Sequence, residues 1–141
     1  MTAAMTTSLR VYVIDDDPDH VLIISRAIRE VAPETLVRSI DDGAAAVAEL
    51  ERETALPDLI LLDINMAGFN GFDVLSRVKS DARLRHIPVV MLTSSELSSD
   101  VARAYELGAS GYISKPSYLL DLRAVLGNTL LYWGVMRRAT A

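Results

Sequence analysis

The 141-residue chain contains no cysteine. Disulfides, thiolate zinc sites, iron–sulfur ligation and a cysteine nucleophile are therefore excluded, and oxygen and imidazole remain as site chemistry. Histidine is nearly as scarce: His20 and His86 are the only two, and neither has a partner at ligand or triad spacing, so neither is expected to carry catalysis or hold a metal. Positive charge is the minority sign, with 14 Lys and Arg against 19 Asp and Glu, a net charge of −5 and a pI near 4.9. Binding nucleic acid or an anionic membrane requires a basic face that displaces counterions from phosphates, and this balance speaks against both. No apolar run reaches the ~18 residues of a membrane span, and Met1 to Arg10 lacks a basic stretch leading into an apolar one. The expectation is a soluble, cytoplasmic protein without a direct nucleic-acid or membrane partner.

What is present is a globular composition, half hydrophobic and 23% charged, at a length that suits one core. Four short apolar runs stand out, Leu9–Ile14, Leu59–Leu62, Ile87–Leu92 and Gly111–Ser114, with a weaker one at Thr35–Ile40. Leu59-Ile60-Leu61-Leu62 and Val89-Val90-Met91-Leu92 do not alternate with polar residues, as expected of strands buried on both faces of a parallel sheet. Between them lie segments of helical spacing: Val21, Ile24, Ile28 and Val31; Val47 and Leu50; Phe72, Leu75 and Val78; Val101, Ala104 and Tyr105; and Leu119, Leu122, Leu126, Leu130 and Trp133. Asp17-Pro18 reads as a capping carboxylate before a first-turn proline, and Gly108 as the left-handed residue closing the fourth helix. Five strands alternating with five helices predict an open, doubly wound α/β domain. Its bounds are expected at 8–134, with short tails at 1–7 and 135–141 and no output domain.

In such sheets ligands bind beyond the carboxyl ends of the strands. The residues there are Asp15, Asp16 and Asp17 after the first strand, Asp63 after the third, Thr93 and Ser94 after the fourth, and Lys115 after the fifth. Two carboxylates ~5 Å apart repel by about 3 kcal/mol at an effective dielectric near 20, so converging acids call for a shared cation. Oxygen-only ligands favour Mg2+ over zinc. A cation, a hydroxyl and an ammonium can together hold a phosphoryl group, with Asp63 as the nucleophile that forms an acyl phosphate. Asp15-x-Asp17-x-Asp19 also looks like the opening of an EF-hand loop, but His20 stands at the sixth position and Arg26 at the twelfth.

The sequence resembles the receiver domain of two-component response regulators over about residues 8–131. The resemblance rests on Val13-Ile14-Asp15-Asp16, on the run from Asp58 to Met66 with Gly71 downstream, on Val90-Met91-Leu92-Thr93-Ser94, and on Gly111-Tyr112-Ile113-Ser114-Lys115-Pro116. It implies a flavodoxin-like sheet of order 2-1-3-4-5. It further implies that Asp63 takes a phosphoryl group from a histidine kinase, and that Asp16, Asp63 and the backbone carbonyl of Asn65 ligate Mg2+ while Asp15 acts through water. Thr93 and Lys115 would sense the phosphoryl group, Tyr112 would be the aromatic switch, Lys115-Pro116 would be a cis peptide, and Asn65 and Ser95 would influence acyl-phosphate hydrolysis. One departure is visible: Ala67 stands where the family usually has proline, which suggests a more mobile loop over Ala67-Gly68-Phe69-Asn70.

The last helix carries more apolar surface than one face needs, with Leu120, Leu131, Tyr132, Val135 and Met136 outside the stripe. Together with Ser98–Leu107 and Tyr132-Trp133, this resembles the small regulators paired with bacterial phytochromes. That resemblance implies a homodimer with Leu119, Leu122, Leu131, Tyr132 and Trp133 in the interface, and a bacterial phytochrome as the partner kinase. The expected function is a stand-alone response regulator that signals by protein contact rather than an enzyme. Two alternatives are a receiver-fold binding module independent of phosphorylation and a haloacid-dehalogenase-like phosphatase. The latter lacks its usual threonine or valine after Asp17-Pro18 and leaves Asp63 without a role.

Overall fold

The computed structural model describes residues 9–116 and 119–140, with side chains over 9–116 and 121–134. Among the described residues ten elements alternate: β1 (Arg10–Ile14), α1 (Pro18–Val31), β2 (Leu36–Ile40), α2 (Gly43–Arg52), β3 (Leu59–Leu62), α3 (Gly71–Ser80), β4 (Val89–Thr93), α4 (Ser98–Glu106), β5 (Gly111–Ser114) and α5 (Leu119–Thr140). All strands run parallel in the order β2-β1-β3-β4-β5, the flavodoxin-like order expected from the sequence.

The uniformly apolar central strands follow from cores on both faces. Ile60 and Leu62 point into one core with Ile14, Leu50, Leu75 and Met91, while Leu59 and Leu61 point into the other with Ile24, Ile28, Val90 and Leu126. Each such side chain stabilises by about 1.5–3 kcal/mol when taken fully from water. Strand β2 lies at the edge and is only partly covered, which is why its sequence signal is weak.

The caps follow local chemistry. Asp17 accepts from the amides of Asp19 and His20, with Pro18 in the first turn of α1, where a missing N–H costs nothing. Asn70 and Asp73 form a reciprocal capping box on α3, and Gly108 has φ 105° after α4. Several expectations shift. Pairing in β4 begins at Val89 because Pro88 has no N–H to give the ladder, and it extends to Thr93. Tyr105 is exposed rather than core-facing, and Val31, beside Gly127 of α5, is only partly covered. Residues 135–140, expected as a tail, continue helix α5. The expected tail at 1–7 lies outside the described residues.

Candidate functional site

The register builds the site. Ile14 pairs with Leu62, so Asp15 and Asp63 leave adjacent strands side by side, and Asp63 N–H donates to the Ile14 carbonyl at 3.0 Å. Thr93 pairs with Ser114, and the Lys115 amide donates to the Thr93 carbonyl at 2.8 Å. Asp15, Asp16, Asp63, Thr93 and Lys115, far apart in sequence, thus converge at one end of the sheet.

Asp15, Asp16 and Asp63 each offer a carboxylate oxygen within 4.8 Å of the others. Asp15 and Asp63 are buried and Asp16 is exposed. Lys115 Nζ lies 2.6 Å from Asp15 Oδ2 and 3.6 Å from Asp63 Oδ2. Three carboxylates against one ammonium leave an excess of two negative charges, which matches a divalent cation. Asp63 Oδ1 is buried without a hydrogen-bond partner; a buried acceptor left in this way is costly unless a ligand meets it. Those two observations fit the oxygen chemistry of magnesium.

Around the cluster, the second Asp15 oxygen accepts from the Asp17 amide at 3.0 Å. The Ala67 amide donates to Asp16 Oδ2 at 3.1 Å. Proline has no N–H, so the departure that suggested only a looser loop in fact supplies a hydrogen bond to a site carboxylate. Asn65 is exposed on the same loop. Gly71 closes the floor: a Cβ there would stand 2.2 Å from the Asp63 carbonyl oxygen and 2.7 Å from Ile64 Cα, an approach only glycine permits.

Thr93 is fully buried at the end of β4, and its Oγ1 accepts from the Ser95 amide at 3.4 Å. Tyr112 is half-buried, and its hydroxyl donates to the Ser95 carbonyl at 3.0 Å. Ser95 Oγ donates to Asp100 Oδ2 at 2.5 Å. All three polar groups of Ser95 are thereby engaged, linking Thr93, Tyr112 and the first turn of α4.

Two expectations are corrected, and one contact was not anticipated. The Lys115–Pro116 peptide is trans; trans is the lower-energy form of an X–Pro bond, and Lys115 reaches Asp15 with it. Leu122 is buried in the α1–α5 core, because its place on α5 faces the sheet, and so it is not part of an exposed face. His20 does enter the site: its Nδ1 lies 2.8 Å from Lys115 Nζ. That contact joins residues 95 positions apart, which no local spacing could reveal. His86 is exposed. Of the other expected interface residues, Leu131 and Tyr132 are exposed, Trp133 is half-buried with its ring edge-to-face on Tyr132 at 4.8 Å, and the Leu119 side chain lies outside the described residues.

Fold and site together define a receiver-type signalling domain, and the chain belongs to the response regulator receiver domain family, which it matches over residues 11–126. It is 32% identical over 127 residues to the probable methanogenesis regulatory protein FilR2 of Methanothrix harundinacea, covering 87% of this chain and 82% of that one. It is 34% identical over 118 residues to the response regulator Rcp1 of Synechocystis, covering 77% and 80%. Among solved structures, the phosphorylated cyanobacterial phytochrome response regulator RcpA superposes with a TM-score of 0.84 at 30% identity, covering 90% of this chain and 94% of that one. The Mn2+-bound form of Rcp1 superposes with a TM-score of 0.78, also at 30% identity, covering 89% and 94%. Receiver domains are signalling domains rather than enzymes in the usual sense, and they pair with histidine kinases. No helix among the described residues is long and apolar enough to cross a membrane.

Proposed function

We propose that the protein is a phosphorylation-dependent response regulator in which Asp63 is the acceptor. A carboxylate oxygen of Asp63 attacks the phosphorus of a kinase phosphohistidine, the P–N bond breaks, and the imidazole leaves with its electron pair. The observation that carries this reading is Asp63 Oδ1, buried and unpartnered inside a cluster with two excess negative charges. Asp16, Asp63 and the Asn65 carbonyl would hold Mg2+, with Asp15 acting through water. Magnesium, when bound, neutralises the charge that phosphoryl transfer concentrates there. Lys115 adds an ammonium beside the Asp63 oxygen, and Thr93 Oγ1 donates once the phosphoryl group is in place.

The readout follows from Ser95. When Thr93 turns to the phosphoryl group, the Ser95 amide loses its acceptor, and the loop that Tyr112 and Asp100 hold must rearrange. Phosphorylation then shifts the population of packings on the α4-β5-α5 face. Exposed Leu97, Tyr105, Leu131 and Tyr132 supply apolar area on α4, α5 and the turn before α4, which supports a homodimer through that face. Likeness to RcpA supports a bacterial phytochrome as the cytoplasmic kinase partner. The test is intact mass with acetyl phosphate and magnesium. A gain of about 80 Da, one phosphoryl group, is expected in the wild type and not in Asp63→Asn; an equal gain in the variant refutes the assignment.

A further inference from the structure

We infer that His20 is a positioning residue for Lys115, an inference that rests on the reading of Asp63 as acceptor. An ammonium has three donors and no acceptor capacity. One donor goes to Asp15 Oδ2 at 2.6 Å and one to His20 Nδ1 at 2.8 Å. The third is the one left to face Asp63, whose Oδ2 lies 3.6 Å from Nζ.

Because lysine only donates, the 2.8 Å contact makes Nδ1 the lone-pair nitrogen, which leaves the ring hydrogen on Nε2. Nε2 in turn faces Asp17 Oδ2 at 3.4 Å. Asp17 Oδ1 caps α1 by accepting from the amides of Asp19 and His20. One carboxylate therefore fixes both the start of the helix and the orientation of the ring it carries. The Lys115 side chain is largely enclosed, with 11% of its surface exposed. A flexible four-carbon stem is so reduced to one pose, in which the free N–H points at the site where the phosphoryl oxygens arrive. Without His20 the ammonium keeps its short bond to Asp15 and only the longer ion pair to Asp63, and it is free to turn between the two carboxylates.

The experiment uses the full chain with acetyl phosphate and magnesium, comparing initial phosphorylation rates of wild type, His20→Leu and His20→Gln. The Lys115 Nζ resonance is recorded alongside on the metal-free proteins without phosphodonor. A hydrogen bond to a charged group predicts that His20→Leu slows the reaction about tenfold and loses the ordered Nζ signal, and that His20→Gln, whose amide oxygen can accept, recovers the signal and a rate within about threefold of wild type. A His20→Leu rate within about twofold of wild type, or a His20→Gln variant as slow as His20→Leu, overturns the inference. No phosphorylation of wild type refutes the acceptor reading instead, and the Nζ signal, read without phosphodonor, then decides the His20–Lys115 contact by itself.

Discussion

Replacing Asp63 by asparagine should stabilise the metal-free fold. Asp63 faces two carboxylates within 4.8 Å, each repelling it by about 3.5 kcal/mol or more at an effective dielectric of 20. Against these stands the attraction of Lys115 at 3.6 Å, about 4.6 kcal/mol on the same scale. Repulsion leads by about 2 kcal/mol, and the exposure of Asp16 screens part of that lead, leaving about 1–2 kcal/mol in favour of the neutral amide. For a domain of this size that is a rise in Tm of about 3–6 °C. The assay is thermal unfolding in EDTA and again with excess magnesium. Wild type should gain stability from magnesium by mass action, and Asp63→Asn should start higher and gain less. A variant that melts more than about 2 °C below wild type in EDTA would mean the Lys115 pairing outweighs the repulsion, and the argument for a cation-demanding cluster would fail.

Other perturbations probe other links. Burial, reinforced by Glu49, raises the Tyr12 pKa above its ordinary 10.0. As pH rises past 10 the unfolded chain gives up a proton that the folded chain keeps, so stability falls there; urea unfolding at pH 8 and 10.5 should show a smaller loss for Tyr12→Phe than for wild type. Tyr112→Phe removes the hydrogen bond to the Ser95 carbonyl and should cost about 0.5–1.5 kcal/mol by the same measurement at pH 7. Leu126→Ala empties a fully buried position between α1 and α5 and should cost about 2–5 kcal/mol. Leu131→Asp places a charge on an exposed apolar site; sedimentation should show weaker self-association, and an unchanged dimer would move the interface elsewhere.

The sheet was legible because a parallel sheet imposes a crude signal, uninterrupted apolar runs such as Leu59–Leu62. The acids and Lys115 were legible because each directly follows such a run. What escaped depends on direction rather than order. His20 was dismissed for lack of a neighbour along the chain, yet one turn of α1 aims it across the sheet at Lys115. Leu122 and Leu131 were both assigned to the interface, yet the helical stripe already told them apart: Leu122 lies on it and is buried, whereas Leu131 lies off it and is exposed. Ala67 read only as a missing proline, whereas the restored N–H is what counts.

The close approach of Gly71 to Asp63 has a consequence for how this protein can change over generations. At Gly71 even a methyl group would meet the backbone of Asp63 itself, and Gly43 stands in the same relation to the Phe69 carbonyl, at 2.3 Å. The loop between β3 and α3 is thus bounded at its end by Gly71 and met from the start of α2 by Gly43, two positions where a side chain would press on main chain. Variation in that loop should therefore gather at exposed positions such as Asn65 and Ala67, while Gly71 and Gly43 stay fixed in any lineage that keeps the site.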